Sequence, residues 1–214
     1  MSEPGTHEFR VTSTEDIHIG RVVGLRVDEV AMPGDGTARR EVVEHLGAVA
    51  VCAVADDGAV TLIHQYRHPV RDRLWELPAG LLDVDGEDPV DTAARELVEE
   101  AGLAAGRWDT LVEVAASPGF TDEVVRVFLA RELRPVDREL HGDEEADLTI
   151  STVPLTQAVD MVLSGQIVNG ASVAGILAAH TVLSGNHTAD GVPRDPRAPW
   201  RHRPTTFAAR LRDS

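Results

Sequence analysis

The sequence predicts an α+β protein: a mixed sheet held between helices, with an antiparallel β meander ahead of it. Three observations lead there. Val23, Leu25 and Val27 alternate with Gly24, Arg26 and Asp28, as on a half-buried strand. Leu46 to Ala55 is an unbroken run of apolar and small residues, suited to a strand covered on both faces. Stretches of helical apolar spacing are interleaved with the strands and follow them, so the two kinds of element bury their apolar faces as layers.

The elements follow in order. Residues 1 to about 8 form a loose start, and Phe9 to Leu46 hold two or three strands turning at Pro33-Gly34-Asp35-Gly36. A meander this small is marginal alone and needs a packing surface. Asp56-Asp57-Gly58 turns the apolar run into a strand from Ala59 to Tyr66, and Leu74 to Pro78 is a short strand. Asp88 is an N-cap, Pro89 suits the first helical position, and Gly102 stops the helix between them. Val90, Ala94, Leu97 and Ala101 give that helix its buried stripe, with Glu96, Glu99 and Glu100 off it. Trp108 to Ala116, Val124 to Ala130 and Leu148 to Val153 read as strands, with a polar, acidic loop over 134–146. Pro154 to Ser164 is helical, with Leu155, Ala158, Val159 and Val162 inward; Gly170 to Ser184 is helical, with Val173, Ile176, Leu177 and Leu183 inward. Residues 186–204 are a Pro/Arg/Asp-rich loop, and Thr206 to Arg212 is a short terminal helix. The expected divisions are 1–46 as meander, 47–185 as main domain and 186–214 as C-terminal loop and helix.

Composition narrows the function. The 214 residues carry 36 acids against 20 bases, a formal charge of −16. That disfavours nucleic acid and anionic membranes, both of which call for a basic patch. No apolar run reaches membrane-spanning length, and the polar N-terminus lacks a signal-peptide core, so a cytoplasmic location is expected. The single Cys52 permits no intramolecular disulfide and no cysteine-rich zinc site, and reads as a small buried hydrophobe.

The chemistry concentrates between Gly80 and Leu103. Glu96 and Glu100 are one turn apart with Glu99 beside them, and like charges at that spacing destabilise a helix. Arg95, four residues before Glu99, offsets part of the repulsion; a solvated acidic face is the plain alternative. Clustered carboxylates also hold hard divalent cations, which bridge to phosphates. Gly80, Glu87 and the run Arg95-Glu96-Leu97-Val98-Glu99-Glu100-Ala101-Gly102-Leu103 resemble the Nudix box. One departure is that six residues, not five, separate Gly80 from Glu87.

The resemblance implies an α/β/α sandwich over about 47–185 and a pyrophosphate-hydrolysing enzyme using Mg²⁺, with Mn²⁺ as a substitute. It implies Glu96 and Glu100 as metal ligands, Glu99 shared between them, and the Ala79 carbonyl completing the shell. Glu87 and Arg95 support these ligands, although helix capping competes for Glu87 and a structural salt bridge for Arg95. A general base falls in the acidic loop, with Glu145 favoured over Glu144. Gln65-Tyr66-Arg67-His68, Glu76-Leu77-Pro78-Ala79-Gly80 and Ser117-Pro118-Gly119-Phe120-Thr121-Asp122-Glu123 resemble the ADP-ribose pyrophosphatase subgroup, in particular its actinobacterial members. On that likeness Arg67, Pro118, Gly119 and Phe120 contact substrate, while Glu44 and Arg40 reach the ligand of a neighbouring subunit in a homodimer. His45 and His68 are read as structural. Competing readings are a pyrophosphatase for another nucleotide sugar, such as UDP-glucose or GDP-mannose, and a non-catalytic Nudix regulator.

Overall fold

The computed structural model describes residues 5–34, 36–138 and 147–213. The chain folds as two compact units. The first joins residues 1–47 to 115–124 and 202–214; the second joins 48–114 to 125–201. The boundaries thus differ from the expected ones: the loop carrying Pro118 and the terminal helix join the meander, and 186–201 stays with the larger unit.

In the smaller unit, β1 (Val11–Ile19), β2 (Val23–Ala31) and β3 (Thr37–His45) form the expected antiparallel meander in the order β1-β2-β3. The strand forms as predicted but its faces are inverted: Gly24 and Asp28 are buried while Val23 is exposed, because Gly24 packs under the terminal helix, where a Cβ would lie 2.8 Å from the buried ring of Phe207. Glu44 on β3 is fully buried and ion-paired to Arg26 and Arg210. Residue 43 also binds the 115–124 segment, through Val43 N to Phe120 O at 2.8 Å.

In the larger unit, β4 (Ala48–Ala53) lies between β7 (Ala79–Leu81), antiparallel, and β9 (Val124–Pro135), parallel. With β8 (Leu103–Ala115) beyond β9 this is a mixed four-stranded sheet, order β7-β4-β9-β8. A second sheet, β10-β5-β6, is antiparallel and comprises β10 (Thr149–Pro154), β5 (Ala59–Arg67) and β6 (Asp72–Glu76).

Strand β4 shows why the sandwich forms. Val49, Val51 and Ala53 face one core with Val90, Ala93 and Leu97 of α1 (Pro89–Ala101). Ala50 and Cys52 face the other with Ala158 and Met161 of α2 (Leu155–Leu163) and Ile176 and Ala179 of α3 (Gly170–Leu183). Alternate residues of a strand point to opposite faces, so an all-apolar strand needs cover on both. Burial pushes the Cys52 thiol up to about 12, consistent with an inert core residue.

Helix α1 ends as its sequence requires. Asp88 accepts a hydrogen bond from Val90 N, and Gly102 takes a left-handed φ of 64°. Helix α3 departs from expectation: Ser172, Gly175, Ile176 and Ala179 are buried, whereas Leu177 and Leu183 are exposed. Small residues face inward because the sheet comes close; a Cβ on Gly175 would lie 2.7 Å from Val127 and 2.8 Å from Leu77. The terminal helix α4 (Thr206–Asp213) belongs to the smaller unit. No helix among the described residues is long and apolar enough to cross a membrane.

Candidate active site

Strand β7 and helix α1 build the site together. The segment Ala79–Leu81, to which the sequence assigned no strand, is a strand paired with β4. Its stem is fixed from behind, where Leu77 N donates to Ser172 Oγ at 2.9 Å. Ala79 N donates to Glu100 Oε2 at 2.8 Å, tying strand to helix. Glu100 is 8% exposed, a correction to its expected place off the buried stripe. The next residue explains its own identity: a Cβ on Gly80 would overlap Glu96 Cδ and Oε1 and lie 2.5 Å from Cγ. Between Gly80 and Glu87, Gly86 takes a left-handed φ of 76°.

Arg95 organises the acidic face. Its Nη1 reaches Glu96 Oε1 at 2.8 Å and Glu99 Oε2 at 3.1 Å. Its Nη2 meets Glu87 Oε2 at 3.3 Å, and Thr92 Oγ1 donates to the same Glu87 oxygen at 2.8 Å. Burial would raise the Glu87 carboxyl, but the hydrogen bonds from Arg95 and Thr92 outweigh it and hold it below the usual range. Glu87 thus anchors Arg95 rather than capping the helix; Asp88 does that.

The other two carboxylates lean the opposite way. Burial pushes Glu96 up to about 7, with Arg95 opposing and Glu99 adding to the rise. Burial likewise lifts Glu100 to about 8, opposed by the Ala79 amide and reinforced by Glu96. A buried and a half-buried carboxylate that repel each other call for a cation. The donors at hand are carboxylate oxygens, the chemistry of a hard divalent ion. Among the described residues, no three acidic, histidine or cysteine side chains converge closely enough to hold a metal. Instead Arg95 draws Glu96 and Glu99 to itself, and the Ala79 amide takes Glu100. By donor chemistry and charge the residues fit the ion.

Arg67 stands at the end of β5, and its charge lowers the Glu100 pKa from nearby. Sequence reasoning assigned Glu76 no role; the structure makes it the partner of Arg67, through Nε at 3.0 Å and Nη2 at 2.7 Å. The signal was a carboxylate inside an apolar strand, between Trp75 and Leu77.

The remaining candidates lie elsewhere. Within the smaller unit, Arg40, Gly119 and Phe120 share one open cleft of about 420 Å³ with Val27, Arg39 and Glu41. Pro118 instead borders a cleft of about 340 Å³ that includes Asp122, His202 and Arg203. Glu44 departs from its expected ligand-facing role, since burial and two arginine partners commit it to the meander. His45 is structural as read: its Nδ1 accepts from Gly47 N at 3.0 Å. Glu144 and Glu145 lie outside the described residues.

Known proteins share this architecture. The NUDIX domain family model matches residues 43–169. An ADP-ribose pyrophosphatase of Mycobacterium tuberculosis is 51% identical over 204 residues, spanning 95% of this chain and 97% of the relative. A methanol dehydrogenase activator of Bacillus methanolicus is 36% identical, over 79% of this chain and 91% of its own. A crystal structure of an ADP compounds hydrolase superposes with a TM-score of 0.75 at 20% identity, covering 87% of this chain and 100% of that one, which is a likeness of fold. The family model spans the β4–α1 core and the acidic helix described above, and the chain belongs to the NUDIX domain family.

Proposed function

We propose that the protein hydrolyses the pyrophosphate bond of ADP-ribose, giving AMP and ribose 5-phosphate. The observation that carries this reading is the carboxylate cluster of Glu96, Glu99 and Glu100, gathered by Arg95 and the Ala79 amide, with the Arg67 guanidinium acting on Glu100. Mg²⁺, with Mn²⁺ as a substitute, fits Glu96, Glu100, the shared Glu99 and the Ala79 carbonyl. When bound, such an ion neutralises phosphate charge and lowers the pKa of a coordinated water.

The chain's own residues do the rest. Arg95, anchored by Glu87, holds Glu96 and Glu99 in place. Arg67 presents a planar fork to the diphosphate, a geometry suited to phosphate oxygens. Glu145, favoured over Glu144, takes a proton from the attacking water. Pro118, Gly119 and Phe120 contact substrate, and Arg40 reaches the ligand of the neighbouring subunit in a homodimer; a guanidinium and an exposed aromatic ring in one cleft suit a nucleoside diphosphate. The M. tuberculosis relative bears the name of this activity. A homodimer built on the meander belongs to the same reading, supported by Phe9, Val11, Ile17 and Ile19, all exposed on or beside β1. A cytoplasmic location belongs to it as well.

The test is Mg²⁺-dependent turnover of ADP-ribose against NADH, UDP-glucose, GDP-mannose and diadenosine polyphosphates. ADP-ribose is expected to give the highest kcat/KM; preference for another sugar would reassign the substrate, and no turnover of any would sink the enzyme reading. Glu100→Gln is expected to abolish most turnover and metal binding. Glu145→Gln should lose rate while metal still binds, with Glu144→Gln much milder; the reverse ranking exchanges the base.

A further inference from the structure

The edge of the second sheet, beside the carboxylate face, holds a buried acid that the proposed reaction does not use. Glu76 ends β6 with 1% of its surface exposed. A buried carboxylate is costly unless its oxygens are bonded and its charge is met. Here Arg67 Nε lies 3.0 Å from Oε1 and 3.2 Å from Oε2, and Nη2 lies 2.7 Å from Oε2. Gln65 Nε2 adds a bond to Oε2 at 3.3 Å. The arginine itself is 43% exposed along its side chain. One edge of its guanidinium is therefore gripped from inside the protein, on a side chain that reaches the surface.

Sheet pairing alone does not explain this grip. In the β5–β6 register Arg67 stands opposite Asp72, and Glu76 stands opposite Ile63. Asp72 is exposed and is the cross-strand acid a surface ion pair would use. Arg67 instead runs back along its strand, past Gln65, to a carboxylate deep in the sheet. Glu76 is held rigid in turn, because its neighbour Leu77 is pinned by Ser172 Oγ at 2.9 Å. The charges of Arg67 and Glu76 both act on Glu100, so the pair borders the carboxylate face.

We propose that Glu76 is a positioning residue, which fixes the plane of the Arg67 guanidinium against the diphosphate of the substrate. This rests on the reading of the site as a pyrophosphatase. A planar fork binds phosphate well only when its orientation is set beforehand, since the ordering cost is then met on folding and not on binding.

The test is a mutant cycle read by KM, kcat and thermal midpoint, together with calorimetric binding of inorganic pyrophosphate in Mg²⁺. Glu76→Gln keeps the shape and removes the charge, and Arg67→Lys keeps the charge and removes the fork. Each is expected to raise KM and the pyrophosphate Kd about ten-fold or more, the size of a lost charge-assisted hydrogen bond. The double variant Glu76→Gln/Arg67→Ala is expected to be no worse than Arg67→Ala, because Glu76 acts through the arginine. A role in stability alone would lower the midpoint and leave KM and Kd of Glu76→Gln within two-fold; that result overturns the proposal, and so does a Glu76→Gln effect on KM and Kd that persists in full when added to Arg67→Ala. Should Glu76→Gln fail to fold, Arg67→Lys decides: a wild-type KM and Kd there would overturn it. If the wild type prefers a different nucleotide sugar, the cycle runs on that sugar and the substrate reading alone falls. If it hydrolyses nothing yet binds pyrophosphate, the enzyme reading falls and the Kd values still decide the role of Glu76. A wild type that binds no pyrophosphate overturns both.

Discussion

Gly80→Ala tests the site through one added methyl group. Gly80 does not have a left-handed φ, so alanine brings no backbone strain and the effect is purely steric. The new Cβ would overlap the Glu96 carboxyl and lie 2.5 Å from its Cγ. Carbon atoms in contact sit roughly 3.5 Å apart or more, so Glu96 must move by about 1 Å. That shift breaks the 2.8 Å bond from Arg95 and carries an oxygen away from its place beside Glu100. Misplacement on that scale costs about 100-fold in rate, and overpacking costs about 1–3 kcal/mol in stability. The assay is kcat/KM for ADP-ribose over a Mg²⁺ titration, with thermal midpoints alongside. Gly170→Ala is the control, since a Cβ there meets nothing within 4 Å and its φ is not left-handed. A Gly80→Ala enzyme with kcat/KM within about three-fold of wild type and an unchanged Mg²⁺ dependence would refute the reasoning, given the roughly 100-fold expectation.

Two further outcomes follow from the same structure. Glu96 and Glu100 are raised from 4.5 to about 7 and about 8, so their contribution to stability is present at low pH and lost as pH rises through those values. The metal-free protein should therefore lose stability between pH 5 and 8, by up to about 1.4 kcal/mol per pH unit for one group. Mg²⁺ should stabilise it more at pH 8 than at pH 5, and Glu100→Gln should flatten the slope; urea midpoints across the range check this, and a slope unchanged in Glu100→Gln would contradict it. Gly175→Ala should destabilise by about 1–3 kcal/mol, against the usual gain from alanine in a helix, because its Cβ would strike Val127 and Leu77. Calorimetry showing a raised midpoint would mean the core yields at that point.

Much of the fold was legible because its signals are local. Asp88, Pro89 and Gly102 bound α1 by backbone rules that need no tertiary partner. The apolar run of β4 declared cover on both faces, and two cores meet it. The inward face of α3 was misread because apolar size was taken as the guide. Close packing on Val127 and Leu77 selects the small side chains of Gly175 and Ala179, and the larger Leu177 and Leu183 are left outside. Strand β7 was missed because three residues carry no period; only pairing with β4 defines it.

The sequence by itself determined the carboxylates of α1 and their spacing, since helical geometry alone puts Glu96, Glu99 and Glu100 near one another. It determined the acidic charge and the family to which the chain belongs. Only the tertiary structure decided what each carboxylate does. Glu100 turns inward to the Ala79 amide, Glu99 shares Arg95 with Glu96, and Glu96 lies across a glycine that must stay bare. It also decided that Glu44 is interior and that Glu76 grips Arg67. The reason is that a carboxylate's role depends on burial and on partners brought from other strands, and residues such as Arg67 and Glu76, or Leu77 and Ser172, meet only when the sheets assemble.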